Sequence, residues 1–209
     1  MFPPEPTVFD GSQGFLLLVR IKRAEEPHDV VQMQGVYGAV RFQQACQQAG
    51  LHAVIGAEIV FQDAPLVLLA QHAGGYSNLC QLLTLSHVRQ EEPLTLGELS
   101  RYREGLFCLT GGSESHLHRL LQGRRLQQAT AWLHDLQSVY GDNLRVEICN
   151  HKRPGDRYIV KQSLRLADAL SLVPVATNDV RYARPEAYRR YDLLTCVRLG
   201  LTVHEPHPA

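Results

Sequence analysis

The 209-residue chain has no net charge to offer: 21 basic residues face 21 acidic ones, with histidine counted as neutral. That balance excludes a global pull toward nucleic-acid phosphates and leaves room only for a local basic patch. Long apolar runs are missing too. The longest, residues 15–21, is seven residues and contains Arg20, against the roughly 20 residues a helix needs to cross a bilayer. The first eight residues are acidic and proline-rich rather than basic and then apolar, which does not fit a secretory leader. Cysteines never come in close pairs. Cys46, Cys80, Cys108, Cys149 and Cys196 are odd in number and sit 28 to 47 residues apart, which fits neither a zinc knuckle nor a redox dithiol. They are expected to be small buried hydrophobes in a reducing compartment, the cytoplasm.

What is present is ordinary globular composition, 44 % apolar and 20 % charged. A chain of this length buries about 70 % of the surface it would expose unfolded, so it needs no disulfide or metal to fold. No Ser/Gly/Pro-rich linker divides it, and one α/β domain is expected. From residue 35 onward short apolar runs alternate with helical patterns. Helices are expected over 36–49, 76–89, 115–121, 124–140, 154–171 and 185–199, with Gly50, Gly141 and Gly200 as stops. Thr95 with Glu98 three positions on has the form of a capping box. Strands are expected over 52–61, 65–70, 105–111, 144–150 and 173–179, parallel with helical crossovers. The first 34 residues hold four prolines and no clear period; within them 15–21 is a candidate strand.

Eight stretches occur in one order: GVYGAVRF (35–42), GLHAVIGAEI (50–59), LVLLA (66–70), GYSNLCQLLTLSH (75–87), EGLFCLTGG (104–112), LRVEICNH (144–151), VPVATNDVRYARPE (173–186) and LLTCVRLGLTV (193–203). Together they resemble the polymerase and histidinol phosphatase (PHP) domain of bacterial C-family DNA polymerases, the DNA polymerase III alpha and error-prone enzymes. The resemblance covers residues 35–203, leaving 1–34 as a divergent segment and 204–209 as a tail. It implies a distorted TIM-like (β/α)7 barrel, here with an incomplete or altered first strand. It also implies, in active members, up to three zinc or manganese ions at one mouth. A divalent ion of that kind lowers the pKa of bound water to about 7 and yields a hydroxide that attacks a phosphoester.

Such a cluster needs many carboxylate and imidazole donors on one spot, so the resemblance can be followed position by position. It implies ligands at Asp10, Glu58, His151 and Asp179. It places Met1, Pro3, Met33, Pro65 and Arg181 where the family has its other donors. Methionine offers only a soft thioether, a poor donor beside oxygens. Arg181 lies two residues from Asp179 on an expected strand end, hence on the same face. There it would replace a metal with a guanidinium and form an ion-pair cluster. One weakly held zinc or manganese is the most this donor set is expected to support.

The expectation that follows is a degenerate, non-catalytic PHP module with a scaffold or interaction role in DNA replication or translesion repair. Its partner would be a C-family DNA polymerase or another replication or repair protein, with DNA contacts weak or indirect and no membrane. Polymerase relatives continue beyond the position of Leu201 into palm, fingers and thumb, so polymerisation is not expected of these residues alone. The alternatives are a residual single-metal phosphoesterase using Glu58, His151 and Asp179, and a detached subunit of a polymerase. His116 and His118, two apart on an expected helix, do not share a face for a metal. His204 and His207 belong to a solvated tail. Thr110 to Gly112 forms only a weak phosphate-cradle signal. Arg124–Arg125, Lys152–Arg153 and Arg189–Arg190 are expected to be solvated helix ends.

Overall fold

The computed structural model describes residues 14–19, 36, 38–48, 50, 52–89, 93–177 and 185–205. Asp10, Asp179 and Arg181, with Met1, Pro3 and Met33, lie outside them. The described strands are β1 (Gly14–Val19), β2 (His52–Phe61), β3 (Ala64–Ala70), β4 (Leu106–Leu109), β5 (Leu144–Ile148) and β6 (Val173–Ala176). They form one sheet in chain order. Of the candidate strand at 15–21, residues 15–19 lie in β1, parallel to β2 with Gly14 opposite His52; residues 20 and 21 lie outside the described residues.

The expected all-parallel sheet needs one correction. β2 and β3 form an antiparallel hairpin, and β3 is also antiparallel to β4. Only Gln62 and Asp63 join β2 to β3, and both have positive φ, 49° and 58°. A two-residue turn with both centres left-handed matches the twist of a hairpin, whereas a parallel partner would need a crossover of a dozen residues or more. Neither residue is glycine, which is why the turn is hidden in the sequence. The Arg119 guanidinium holds it by donating to the Asp63 carbonyl at 2.8 Å. β1, β2, β4, β5 and β6 therefore run the same way, and their C-terminal ends share one rim with the start of β3.

Seven helices are described: α1 (Ala39–Gln48), α2 (Ala73–Val88), α3 (Leu96–Arg101), α4 (His116–Gln122), α5 (Leu126–Tyr140), α6 (Asp156–Ala169) and α7 (Tyr188–Leu199). Their apolar stripes are spaced as a one-faced helix requires: Leu79, Leu82 and Leu83 in α2, and Ala129, Trp132, Leu133 and Leu136 in α5. These pack on the strand side chains of one sheet face, among them Ala57, Ile59, Leu66, Leu68, Cys108 and Val146, all inaccessible to solvent.

Local chemistry fixes the helix ends. Thr95 and Glu98 form the expected capping box, with Thr95 Oγ1 accepting from the Glu98 amide and the Glu98 carboxylate accepting from the Thr95 amide. The hydrogen bond donated by the Thr95 amide, more than the neighbouring Arg89, holds the Glu98 carboxyl below the usual range. Gly141 and Gly200 close α5 and α7 with φ of 51° and 65°. At the start of α2 the backbone comes so close to the turn before β4 that a Cβ on Gly75 would overlap the Gly105 carbonyl. Cys46, Cys108 and Cys196 are buried, but Cys80 and Cys149 are half-buried. For Cys149 the difference follows from its place at the rim.

Candidate functional site

Side chains alternate across a strand, so the residues between the core positions face the other way. One row of that second face runs across the sheet through paired positions: Glu58 on β2, Val67 on β3, Leu109 on β4 and Arg145 on β5. Glu58 is a buried carboxylate, 6 % exposed. The Arg145 guanidinium lies 5.0 Å from the centroid of Phe107 on the same face and donates to the Leu144 carbonyl at 3.0 Å.

Toward the rim the second face becomes polar. The Glu147 amide donates to Thr110 Oγ1 at 2.9 Å, and the Thr110 amide donates to the Arg145 carbonyl at 3.1 Å. These bonds carry the β4–β5 pairing one step past Leu109. The Thr177 hydroxyl, just after β6, donates to Glu147 Oε1 at 2.5 Å and lies 3.0 Å from Cys149 Sγ. Glu147, Cys149, Thr110 and Thr177 thus tie three strand ends together. Glu147 faces this side near the end of β5 (Leu144–Ile148) and Cys149 follows two residues on; that i, i+2 spacing in LRVEICNH is the sequence signal for the pair, whereas His151 lies in the loop beyond.

Next to this cluster is a cavity of about 10 Å³ lined by Gly111, Gly112, Ser115, His118, Glu147 and Cys149 among others, room for about one water. Gly111, at φ 81°, passes so close to β3 that a Cβ there would overlap the Pro65 carbonyl. Ser115 caps α4 by accepting from the His118 amide at 3.1 Å. Burial lowers the His118 pKa first; Asp156 opposes that and Arg153 adds to it. His116 turns elsewhere, its ring 5.5 Å from that of Trp132. The two histidines diverge as their i, i+2 spacing predicts.

Of the positions implied as ligands, Glu58 and His151 are described. His151 is half-buried in the loop after β5, its amide donating to Asp156 Oδ2 at 2.9 Å. Glu58 is three strands away, roughly 14 Å along the sheet at about 4.8 Å per strand. Pro65, opposite Val60 at the start of β3, has no side-chain donor to give. Among the described residues no three His, Cys, Asp or Glu side chains are grouped so that they could hold a metal ion. The described residues do not fit a multi-ion centre. What the rim can do on its own residues is hold a water or a small polar group between Glu147, Cys149 and the half-buried His118.

A mixed α/β sheet with a polar rim at the C-terminal strand ends defines the class. Comparison with known proteins places the chain within it. The model of the PHP domain matches residues 25–151, and the chain belongs to that family. It is 31 % identical over 193 residues to the error-prone DNA polymerase of Symbiobacterium thermophilum, covering 83 % of this chain and 18 % of that protein. It is 30 % identical over 172 residues to the DNA polymerase III subunit alpha of Bacillus subtilis, covering 79 % and 15 %. The alpha subunit of Treponema pallidum is 27 % identical over 213 residues, covering 91 % and 18 %. The chain therefore spans less than a fifth of the length of these relatives. No helix among the described residues is long and apolar enough to cross a membrane.

Proposed function

We propose that this chain is a degenerate PHP module that no longer hydrolyses phosphoesters and acts as a cytoplasmic scaffold or docking unit beside a C-family DNA polymerase or another replication or repair protein. The observation that carries this reading is the absence, among the described residues, of any three grouped metal donors, with a proline at position 65 where the family resemblance implies a histidine. Asp10 and Asp179 remain ligand candidates and Arg181 a cation in place of a metal. On this reading the module spans 35–203 and holds at most one zinc or manganese ion. The decisive measurement is metal content of the purified chain together with phosphodiester hydrolysis in manganese. The expected result is no more than one ion per chain and no turnover. Turnover abolished by Glu58→Gln and by Asp179→Ala would replace this reading with a single-metal phosphoesterase. Capture of a C-family polymerase by the chain would identify the partner.

A further inference from the structure

The chain is electrically neutral as a whole, yet one helix gathers its positive charge on one side. The buried stripe of α6 is Asp156, Ile159, Ser163 and Ala167. On the opposite face Arg157, Lys161 and Arg165 follow at four-residue intervals, all exposed, each about 6 Å further along the axis. The loop before the helix extends this stripe to the rim. There Lys152 is held at φ 60° and Gly155 at φ 96°, while Asp156 Oδ2 accepts from the amides of His151 and Arg153 at 2.9 and 3.0 Å. Asn150 Oδ1 accepts from the Lys152 amide at 3.0 Å. The one carboxylate of the first turn is thus spent on the backbone, and the loop is fixed with Lys152 and Arg153 exposed. A left-handed lysine is a costly conformation that its surroundings must impose. From the α4–α5 connection Arg124 joins the same surface, its guanidinium 4.7 Å from the centroid of Tyr158. The described residues provide no ion pair for any of these six cations. Asp168, in the last turn, is the one acid on the exposed face of α6.

We infer that this stripe, from Lys152 at the rim to Arg165 on α6, is a binding surface for the phosphate backbone of a nucleic acid, read without sequence preference. A regular ladder of cations suits a regularly charged polymer. A protein partner would need apolar anchors to bury, and on the exposed face of α6 only Leu164 qualifies, 44 % exposed. Membrane binding would need an apolar face as well, and the one on α6 is already packed against the sheet. The Tyr158 ring is half-buried beneath Arg124, so stacking on bases contributes little.

The test measures fluorescence anisotropy of the full chain with a labelled single strand of about 20 nucleotides and with a duplex of similar length. It is run in chelator, so that any metal at the rim plays no part, between about 50 and 200 mM salt. Expected is binding that weakens steeply with salt. The double variant Lys161→Glu/Arg165→Glu should lose at least about tenfold in affinity. It should also flatten the logarithmic salt slope by about 1.4 for a single strand or 1.8 for a duplex, two phosphate contacts' worth. The preferred form identifies which nucleic acid is bound. Arg101→Glu/Arg103→Glu, with the same charge change at the opposite end of the strands, should stay within about twofold. Equal losses from the two pairs, no binding to either oligonucleotide at low salt, or tighter binding to polyglutamate or phosphatidylserine vesicles would overturn the inference. Both altered pairs are exposed, and unchanged melting by circular dichroism verifies that each variant folds.

Discussion

The two faces of the sheet obey different rules. Leu68 and Val67 are neighbours on β3, yet Leu68 packs with the helices around it while Val67 stands in the row that holds Glu58 and Arg145. The helix-covered face is uniformly apolar, and its stability scales with buried area. The other face mixes carboxylate, guanidinium, thiol and hydroxyl groups, and its stability depends on whether each is satisfied. A fold can keep its first face while its second changes chemistry, because the packing that holds the sheet together does not pass through the rim.

That contrast can be broken by substitution. Leu68→Ala on the covered face is expected to cost about 2–5 kcal/mol in chemical denaturation; a loss under about 1 kcal/mol would mean the helices do not pack as described. Gly75→Ala, which drives a methyl into the Gly105 backbone, should cost about 1–3 kcal/mol or more and should not be relieved by side-chain repacking, since backbone meets backbone. On the rim, Thr177→Val removes the hydroxyl that Glu147 accepts from, and about 1.5 kcal/mol is expected for a half-buried bond to a carboxylate. A neutral result there would show that solvent replaces the bond.

Two smaller effects depend on pH. Thr95→Ala should cost about 1 kcal/mol at neutral pH. Glu98 has a folded pKa below its unfolded value, so its contribution is complete above about pH 4.5 and is lost as the pH falls through the folded value. In the variant that acid-side loss should shrink. His118 is depressed by burial, so the unfolded chain takes up its proton first. Stability should therefore fall as the pH drops below about 6.5 and level off beneath the folded value. His118→Gln should flatten that segment of the melting profile; an unchanged profile would place the titration elsewhere.

Much of the fold can be read from local pattern. The Thr95–Glu98 box, the leucine stripes of α2 and α5, and the glycine stops at 141 and 200 depend on residues within a few positions of one another. The β2–β3 hairpin escapes such reading. Gln62 and Asp63 carry no glycine, and their left-handed turn is imposed by strand pairing and by Arg119, which is 56 residues from Asp63. At the rim, alternation in LRVEICNH marks Glu147 and Cys149, but nothing local announces Thr177, 30 residues on from Glu147. The positive face of α6 is visible as a four-residue repeat, whereas its continuity with Lys152 and Arg124 is not.

Which segments become helices and strands, which face of each is apolar, and the family to which the ordered motifs point all rest on spacing along the chain, and the residue order suffices to read them. Strand direction, the meeting of Glu147, Cys149 and Thr177, and the gathering of one cationic surface from a neutral chain emerge on folding. Each of those depends on distances through space between residues far apart in the chain, and chain spacing carries no record of them.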